Sequence, residues 1–258
     1  MHHGFWKFFD ATHPKHEPGN PYENAIRDYY VHLDAQIGER LALLDEETAV
    51  LVVSDHGAKP MVGGICFNEW LKQEGYLVLE HQPAGIVPLE KCEVDWSRTQ
   101  AWGSGGYYAR LFLNVKGREP EGIIEPEDYE RVRDELAERI AAITDPEGKP
   151  IGSVAYKPED IYAEGNNIAP DLIVYFGNLG WRSLGSLGTG QVHTFENDTG
   201  PDDANHAQQG MVIYFDPKRN LGGREMKGSK LLDIAPTVLN EFGMPVPQNM
   251  IGHVLKVN

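Results

Sequence analysis

Residues 48–53, Thr48-Ala49-Val50-Leu51-Val52-Val53, form an apolar run without polar alternation that ends abruptly in Ser54-Asp55-His56-Gly57. A strand with one wet face alternates apolar and polar residues. An uninterrupted β-branched run suits a strand covered on both faces, as in the parallel sheet of an α/β fold. The segment before it has another period. Ile26, Tyr29, Tyr30, Leu33, Ile37, Leu41 and Leu44 recur every three or four residues, the spacing of one buried stripe on a long amphipathic helix. Ahead of them, Asn20-Pro21-Tyr22-Glu23 offers an Asn cap, a Pro at the first helical position and a Glu where a capping box places it.

The pattern recurs. Residues 109–115, 171–176 and 211–215 read as strands, and Pro126 to Ile143 as a helix with Val132, Leu136, Ile140 and Ile143 on one face. Asp233 can cap a last helix whose first turn accommodates Pro236, and Gly243 is a natural left-handed terminator. Helices alternating with apolar strands predict a layered α/β sandwich. No linker divides the chain, so residues 1–258 read as one domain, with a possible small insertion at about 76–98. Residues 177–210, Gly-rich and polar, are long enough to be a functional loop.

Charge narrows the partners. With 39 acidic against 23 basic side chains the formal charge is −16, which argues against nucleic acid or an anionic membrane as the partner of the general surface. Phosphate groups remain compatible where metal ions supply local positive charge. No stretch reaches the ~18 apolar residues of a membrane span. The opening residues lack the basic and apolar regions of a secretion signal, so the cytoplasm is the expected location. Cys66 and Cys92 are too few for a disulfide framework and too far apart for a metal clip, and read as ordinary thiols.

Three clusters have the residue types for chemistry. Asp55-His56 sits where a strand runs out, the edge at which α/β sheets form their ligand crevice, and carboxylate beside imidazole suits Zn, Mn or Fe. The same dipeptide also suits a turn closed by the Asp side chain. The stretch Thr199-Gly200-Pro201-Asp202-Asp203-Ala204-Asn205-His206 suits a loop delivering a His ligand, or else a solvated turn. His2-His3 lie beside Phe5, Trp6, Phe8 and Phe9, an aromatic group that would dock on the body with or without a role for the histidines. Arg182 and His193 lie in the long Gly-rich segment, where they can meet a substrate phosphate or its leaving group, or be incidental surface charge. Ser104 is in Gly103-Ser104-Gly105-Gly106, but no strand-to-helix elbow follows it, so it does not read as a nucleophile.

Taken together these phrases resemble one family. His3-Gly-Phe-Trp, Ser54-Asp55-His56-Gly57, Gly105-Gly106-Tyr107-Tyr108-Ala109-Arg110, Ala169-Pro170-Asp171-Leu172, Asn197 to His206 and Asp233-Ile234-Ala235-Pro236-Thr237 occur in order along essentially the whole chain. They resemble the C-terminal part of an alkaline-phosphatase-superfamily protein of the type I phosphodiesterase/nucleotide pyrophosphatase group and the related predicted phosphohydrolases and phosphomutases. The resemblance implies a three-layer α/β/α sandwich with a mostly parallel central sheet, its N-terminal part missing. It also implies a two-metal site, zinc preferred and Mn or Mg possible, acting on a phosphorylated small-molecule substrate.

On the family pattern Asp55 and His56 match the pair on one ion, and His3 and His206 match ligands of the other. The Asp expected four residues before His3 falls two residues ahead of Met1. The region with a further Asp ligand and the Ser or Thr nucleophile is likewise outside this sequence. The resemblance therefore implies no catalytic nucleophile in this chain and a phosphohydrolase inactive as cut, either a fragment or a product whose N-terminal half is supplied separately. Two ions ~3.5–4 Å apart would clamp the attacking and leaving oxygens of an in-line displacement. Competing readings are a phosphomutase or sulfatase-like member, and a non-catalytic acidic binding module that keeps the fold.

Overall fold

The structure, a computed structural model, describes residues 1–196, 200 and 202–256. The chain begins with α1 (His2–Phe9), α2 (Ala25–Leu41), β1 (Val50–Val53), β2 (Gly57–Pro60), β3 (Gly63–Cys66) and α3 (Phe67–Gln73). Next come β4 (Ala101–Ser104), β5 (Ala109–Leu113), α4 (Tyr129–Ala141), β6 (Val154–Tyr156), α5 (Pro158–Ile161) and β7 (Leu172–Tyr175). The remainder holds β8 (Trp181–Leu184), β9 (His193–Thr194), β10 (Ala204–Ala207), β11 (Val212–Phe215) and α6 (Ile234–Glu241). Two compact units result, one of residues 1–26 and 58–206, the other of residues 27–57 and 207–258.

The first unit holds the core. Strands pair in the order β4-β5-β7-β6, all antiparallel, and β3 lies between β8, parallel to it, and β9, antiparallel. Ala109, Leu111 and Leu113 alternate inward along β5, while its outward Phe112 stacks on the cross-strand Trp102 with ring centroids 5.6 Å apart. Val132, Leu136 and Ile140 of α4 are buried as their spacing predicts, and α3 buries Phe67, Trp70 and Leu71 against the same cluster. Each such side chain contributes about 1.5–3 kcal/mol of transfer free energy.

Buried polar groups tie the pieces together. Asp171, 3% exposed, accepts the Leu113 N–H at 2.6 Å, two Arg118 N–H bonds at 2.8 Å and the Tyr129 hydroxyl at 2.7 Å. Burial, then this hydrogen bond, push the Tyr129 phenol up to about 12. Asn68 donates to the carbonyls of Gly103 and Gly185 at 2.8 and 2.7 Å and accepts the Gly103 N–H at 2.8 Å, pinning two glycine loops to α3.

In the second unit β1 pairs antiparallel with β11, Val52 opposite Ile213 and Val50 opposite Phe215. The expected strands at 48–53 and 211–215 are present but only half covered: Val53, Ile213 and Phe215 are 38%, 53% and 56% exposed. Of the helical stripe only Ile26 is buried, and Tyr29, Tyr30, Ile37, Leu41 and Leu44 are exposed. Hydrophobic spacing marks a face fit for burial; covering it takes another element. The helix also begins at Ala25 rather than Pro21, because the Asn20 carboxamide oxygen accepts the Tyr22 N–H at 2.9 Å and closes a side-chain turn. Asp233 precedes α6 as expected, yet its carboxylate accepts the Lys230 and His253 N–H groups at 2.8 and 2.9 Å.

The architecture is thus mixed α/β, but the expected mostly parallel sheet is corrected. β3–β8 is parallel, whereas β1–β11, β3–β9, β4–β5, β5–β7 and β6–β7 are antiparallel, so the sheets are small and mostly antiparallel. Apolar runs announce covered strands without fixing which neighbour covers them or in which direction it runs. The segment 177–210, expected as one loop, carries β8, β9 and β10, with Trp181 to Leu184 buried.

Candidate functional site

In the first unit α1 is docked on the end of β10 through backbone and charge. The Asp203 N–H donates to the His3 carbonyl at 2.7 Å, and the Asp203 carboxylate, 2% exposed, lies 3.4 Å from the Lys7 ammonium and 3.5 Å from that of Lys15. His13, also buried, sets its Nε2 3.0 Å from the Met61 carbonyl and accepts the Lys15 N–H on Nδ1, so both ring nitrogens are engaged. The aromatic N-terminus therefore docks, as its composition requires.

This docking brings His3 to His206. Their ring centroids are 5.5 Å apart, and the Tyr107 ring lies 4.3 Å from His206 and 5.5 Å from His3. The His3 Nδ1 is 2.7 Å from Asp202 Oδ1, and the Tyr107 hydroxyl donates to Asp202 Oδ2 at 3.2 Å. An ionised carboxylate can only accept, so in the neutral imidazole Nδ1 carries the proton and Nε2 keeps its lone pair. A carboxylate fixing the tautomer of a histidine in this way is how ligand histidines are oriented. Burial first, then the Asp202 charge and hydrogen bond, raise the Tyr107 phenol, with the Arg182 charge opposing them. Asn205, fully buried, donates to the Leu179 carbonyl at 2.7 Å and accepts the His206 N–H at 2.7 Å, setting the backbone that carries His206.

Asp55 and His56 belong to the second unit and sit at the end of β1, where the sequence places them. Asp55 Oδ1 accepts the His56 N–H at 3.0 Å, Asp55 Oδ2 is 3.5 Å from His56 Nε2, and His56 Nδ1 donates to the Gly57 carbonyl at 2.9 Å. Ser54 exchanges hydrogen bonds with Met211, its N–H to the carbonyl at 3.0 Å and its Oγ from the N–H at 2.8 Å, holding this turn to the start of β11. A Cβ at Gly57 would stand 2.4 Å from the Gln209 carbonyl oxygen, so the turn closes only with glycine there. Each pair is a property of its own unit.

The remaining sequence candidates separate. Arg182 on β8, 9% exposed, lines a cavity of about 310 Å³ with Gly103–Gly106, and its charge reaches Tyr107. His193 on β9 is 2.7 Å from the Thr144 carbonyl through Nε2, and its ring meets Trp181 edge-on at 5.7 Å, contacts of a packing residue. Ser104 accepts an Arg110 N–H at 3.0 Å. Asn197, Asp198, Thr199 and Pro201 of the late motif lie outside the described residues. Sequence reasoning gave Asp202 and Tyr107 no role; their signal was position, one inside the Asp-Asp-Ala-Asn-His phrase and the other beside the Gly105-Gly106 pair.

Imidazole and carboxylate are the donor types that zinc and manganese accept, and the His3 tautomer leaves Nε2 suited to a cation. Among the described residues no group of three His, Cys, Asp or Glu side chains converges as metal ligands. The donor chemistry fits a metal ion, and a full ligand set needs further donors.

The profile described as type I phosphodiesterase / nucleotide pyrophosphatase matches residues 6–202, a family of phosphoester hydrolases. The chain belongs to that family and through it to the alkaline phosphatase superfamily. No curated protein and no solved structure matches it significantly. No helix among the described residues is long and apolar enough to cross a membrane.

Proposed function

We propose that this chain contributes the metal-binding residues of a metal-dependent phosphoric ester hydrolase acting on phosphorylated small molecules in the cytoplasm. His3 and His206 would hold one divalent cation and Asp55 with His56 another, zinc by preference. A divalent ion held by such donors would polarise a phosphoryl group and neutralise charge developing on its oxygens. A complete site of this kind would also need a Ser or Thr nucleophile and two further Asp ligands besides the four residues named. Within the chain, Asp202 holds the proton on His3 Nδ1 and Tyr107 shares that carboxylate, so the His3 lone pair is oriented before any cation arrives.

The observation that carries this reading is the 2.7 Å contact of His3 with Asp202 beside the His206 ring, formed by residues 199 apart in sequence within a chain of a phosphoester-hydrolase family. Calorimetric titration of Zn²⁺ and Mn²⁺ tests it. Removing His206 (His206→Ala) should weaken uptake at least about tenfold, the scale seen for far milder changes around metal ligands. A wild-type chain that takes up neither ion defeats the ligand assignment.

A further inference from the structure

Ahead of β8 the backbone enters an uncommon conformation. Gly177, Asn178 and Leu179 are all left-handed, with φ of 55°, 50° and 66°. Glycine takes that conformation freely and asparagine tolerates it, whereas a leucine there is strained. Such strain persists only where the surroundings impose it. Here Leu179 is buried and each carbonyl of the turn is taken. Gly177 accepts the Gly180 N–H at 2.9 Å, Asn178 the Lys59 ammonium at 2.5 Å and Leu179 the Asn205 carboxamide at 2.7 Å. Lys59 lies on β2 and Asn205 on β10, and these two strands pair with each other. The turn is latched onto the strand pair that carries His206.

Asn205 also holds more than the turn. Its carboxamide nitrogen reaches the Tyr107 carbonyl at 3.4 Å, and its oxygen accepts the His206 N–H at 2.7 Å. The side chain is fully buried, so its two donors and its oxygen are spent on three backbones. Tyr107 starts from a fixed point, since Gly106 and Ser183 of β8 exchange N–H···O bonds at 2.9 Å. One carboxamide thus joins the backbones from which the Tyr107 and His206 rings project, and those rings lie 4.3 Å apart.

We propose that Asn205 is a positioning residue: braced by the left-handed turn, it sets the place of the His206 ring against Tyr107 and so beside His3. The frame stands on the hydrogen bonds of Asn205 and Lys59. Its use in aiming His206 at a cation rests on the hydrolase reading.

Proton NMR of the full chain with EDTA present reads the frame without any cation at the histidines. The Tyr107 ring current displaces the His206 imidazole resonance, which is identified by its loss in His206→Gln; Tyr107→Leu gives the undisplaced position. Asn205→Ala should bring the resonance most of the way to that position. Asn178→Val should move it in the same direction from outside the site, because a β-branched residue resists a φ near 50°. Asn178→Gly keeps the turn and should leave the resonance in place. A resonance unmoved by Asn205→Ala overturns the proposal. Should that variant fail to fold by circular dichroism, identical spectra for Asn178→Val and Asn178→Gly overturn it instead. Calorimetry then reads the consequence: Asn205→Ala should weaken Zn²⁺ uptake about tenfold or more. Uptake by the wild type that Asn205→Ala leaves unchanged removes the positioning role. A resonance that responds in a chain whose wild type takes up no Zn²⁺ counts against the hydrolase reading alone.

Discussion

Replacing Asp171 by alanine separates a structural role from a chemical one. The residue belongs to Ala169-Pro170-Asp171-Leu172, one of the phrases shared with the family, yet its carboxylate is spent on Leu113, Arg118 and Tyr129. The substitution strands the buried Leu113 N–H, at about 1–3 kcal/mol, and removes the acceptor of the Tyr129 hydroxyl, at about 1 kcal/mol. Arg118 is 44% exposed and returns to water, so its ion pair adds at most about 1 kcal/mol. The sum, about 3 kcal/mol, corresponds to a melting temperature lower by roughly 6–12 °C for a chain of this size. Phenolate absorbance gives a second readout. In the wild type Tyr129 ionises near 12, against an ordinary 10, so its folded pKa is the raised one. The neutral phenol therefore contributes stability that is fully present below pH 10 and lost as pH climbs through 10 to 12. Asp171→Asn keeps the shape but not the charge, and Tyr129 should then titrate lower while burial holds it above 10. A variant that melts within 2 °C of wild type (about 0.5–1 kcal/mol), with Tyr129 titrating unchanged, would refute the network as the tie between β5, β7 and α4.

Two further outcomes follow from the same geometry. Asp202→Ala should weaken Zn²⁺ uptake about 10–100-fold through loss of the acceptor that fixes the His3 tautomer, with circular dichroism unchanged; equal affinity by calorimetry would remove Asp202 from the site. Gly103→Ala places a methyl 2.4 Å from the Phe67 ring and should cost about 1–3 kcal/mol by overpacking, read as a lower midpoint in urea with unchanged slope.

Parts of this molecule are legible in one dimension because their causes are local. The stripe Val132, Leu136, Ile140, Ile143 specifies a helix and its buried face within four turns of chain, and all four are buried. The strands at 109–113, 172–175 and 212–215 follow from short apolar runs, and Asp55-His56 at a strand end follows from the run that stops there. The same runs do not encode partners. Val50–Val53 reads as a strand sealed on both faces, and it pairs antiparallel with Val212–Phe215 and stays half open, because covering depends on elements far away in sequence.

The site divides along the same line. Residue types and order singled out His3, Asp55, His56 and His206 as candidates by resemblance to a phosphoester-hydrolase family, since each phrase is a local pattern. Tertiary structure decided that His3 faces Asp202 across 199 positions and that Tyr107 joins them. Those contacts arise when β10, α1 and the two loops close on one another, and a hydrogen bond between distant residues is set by that closure rather than by any spacing along the chain.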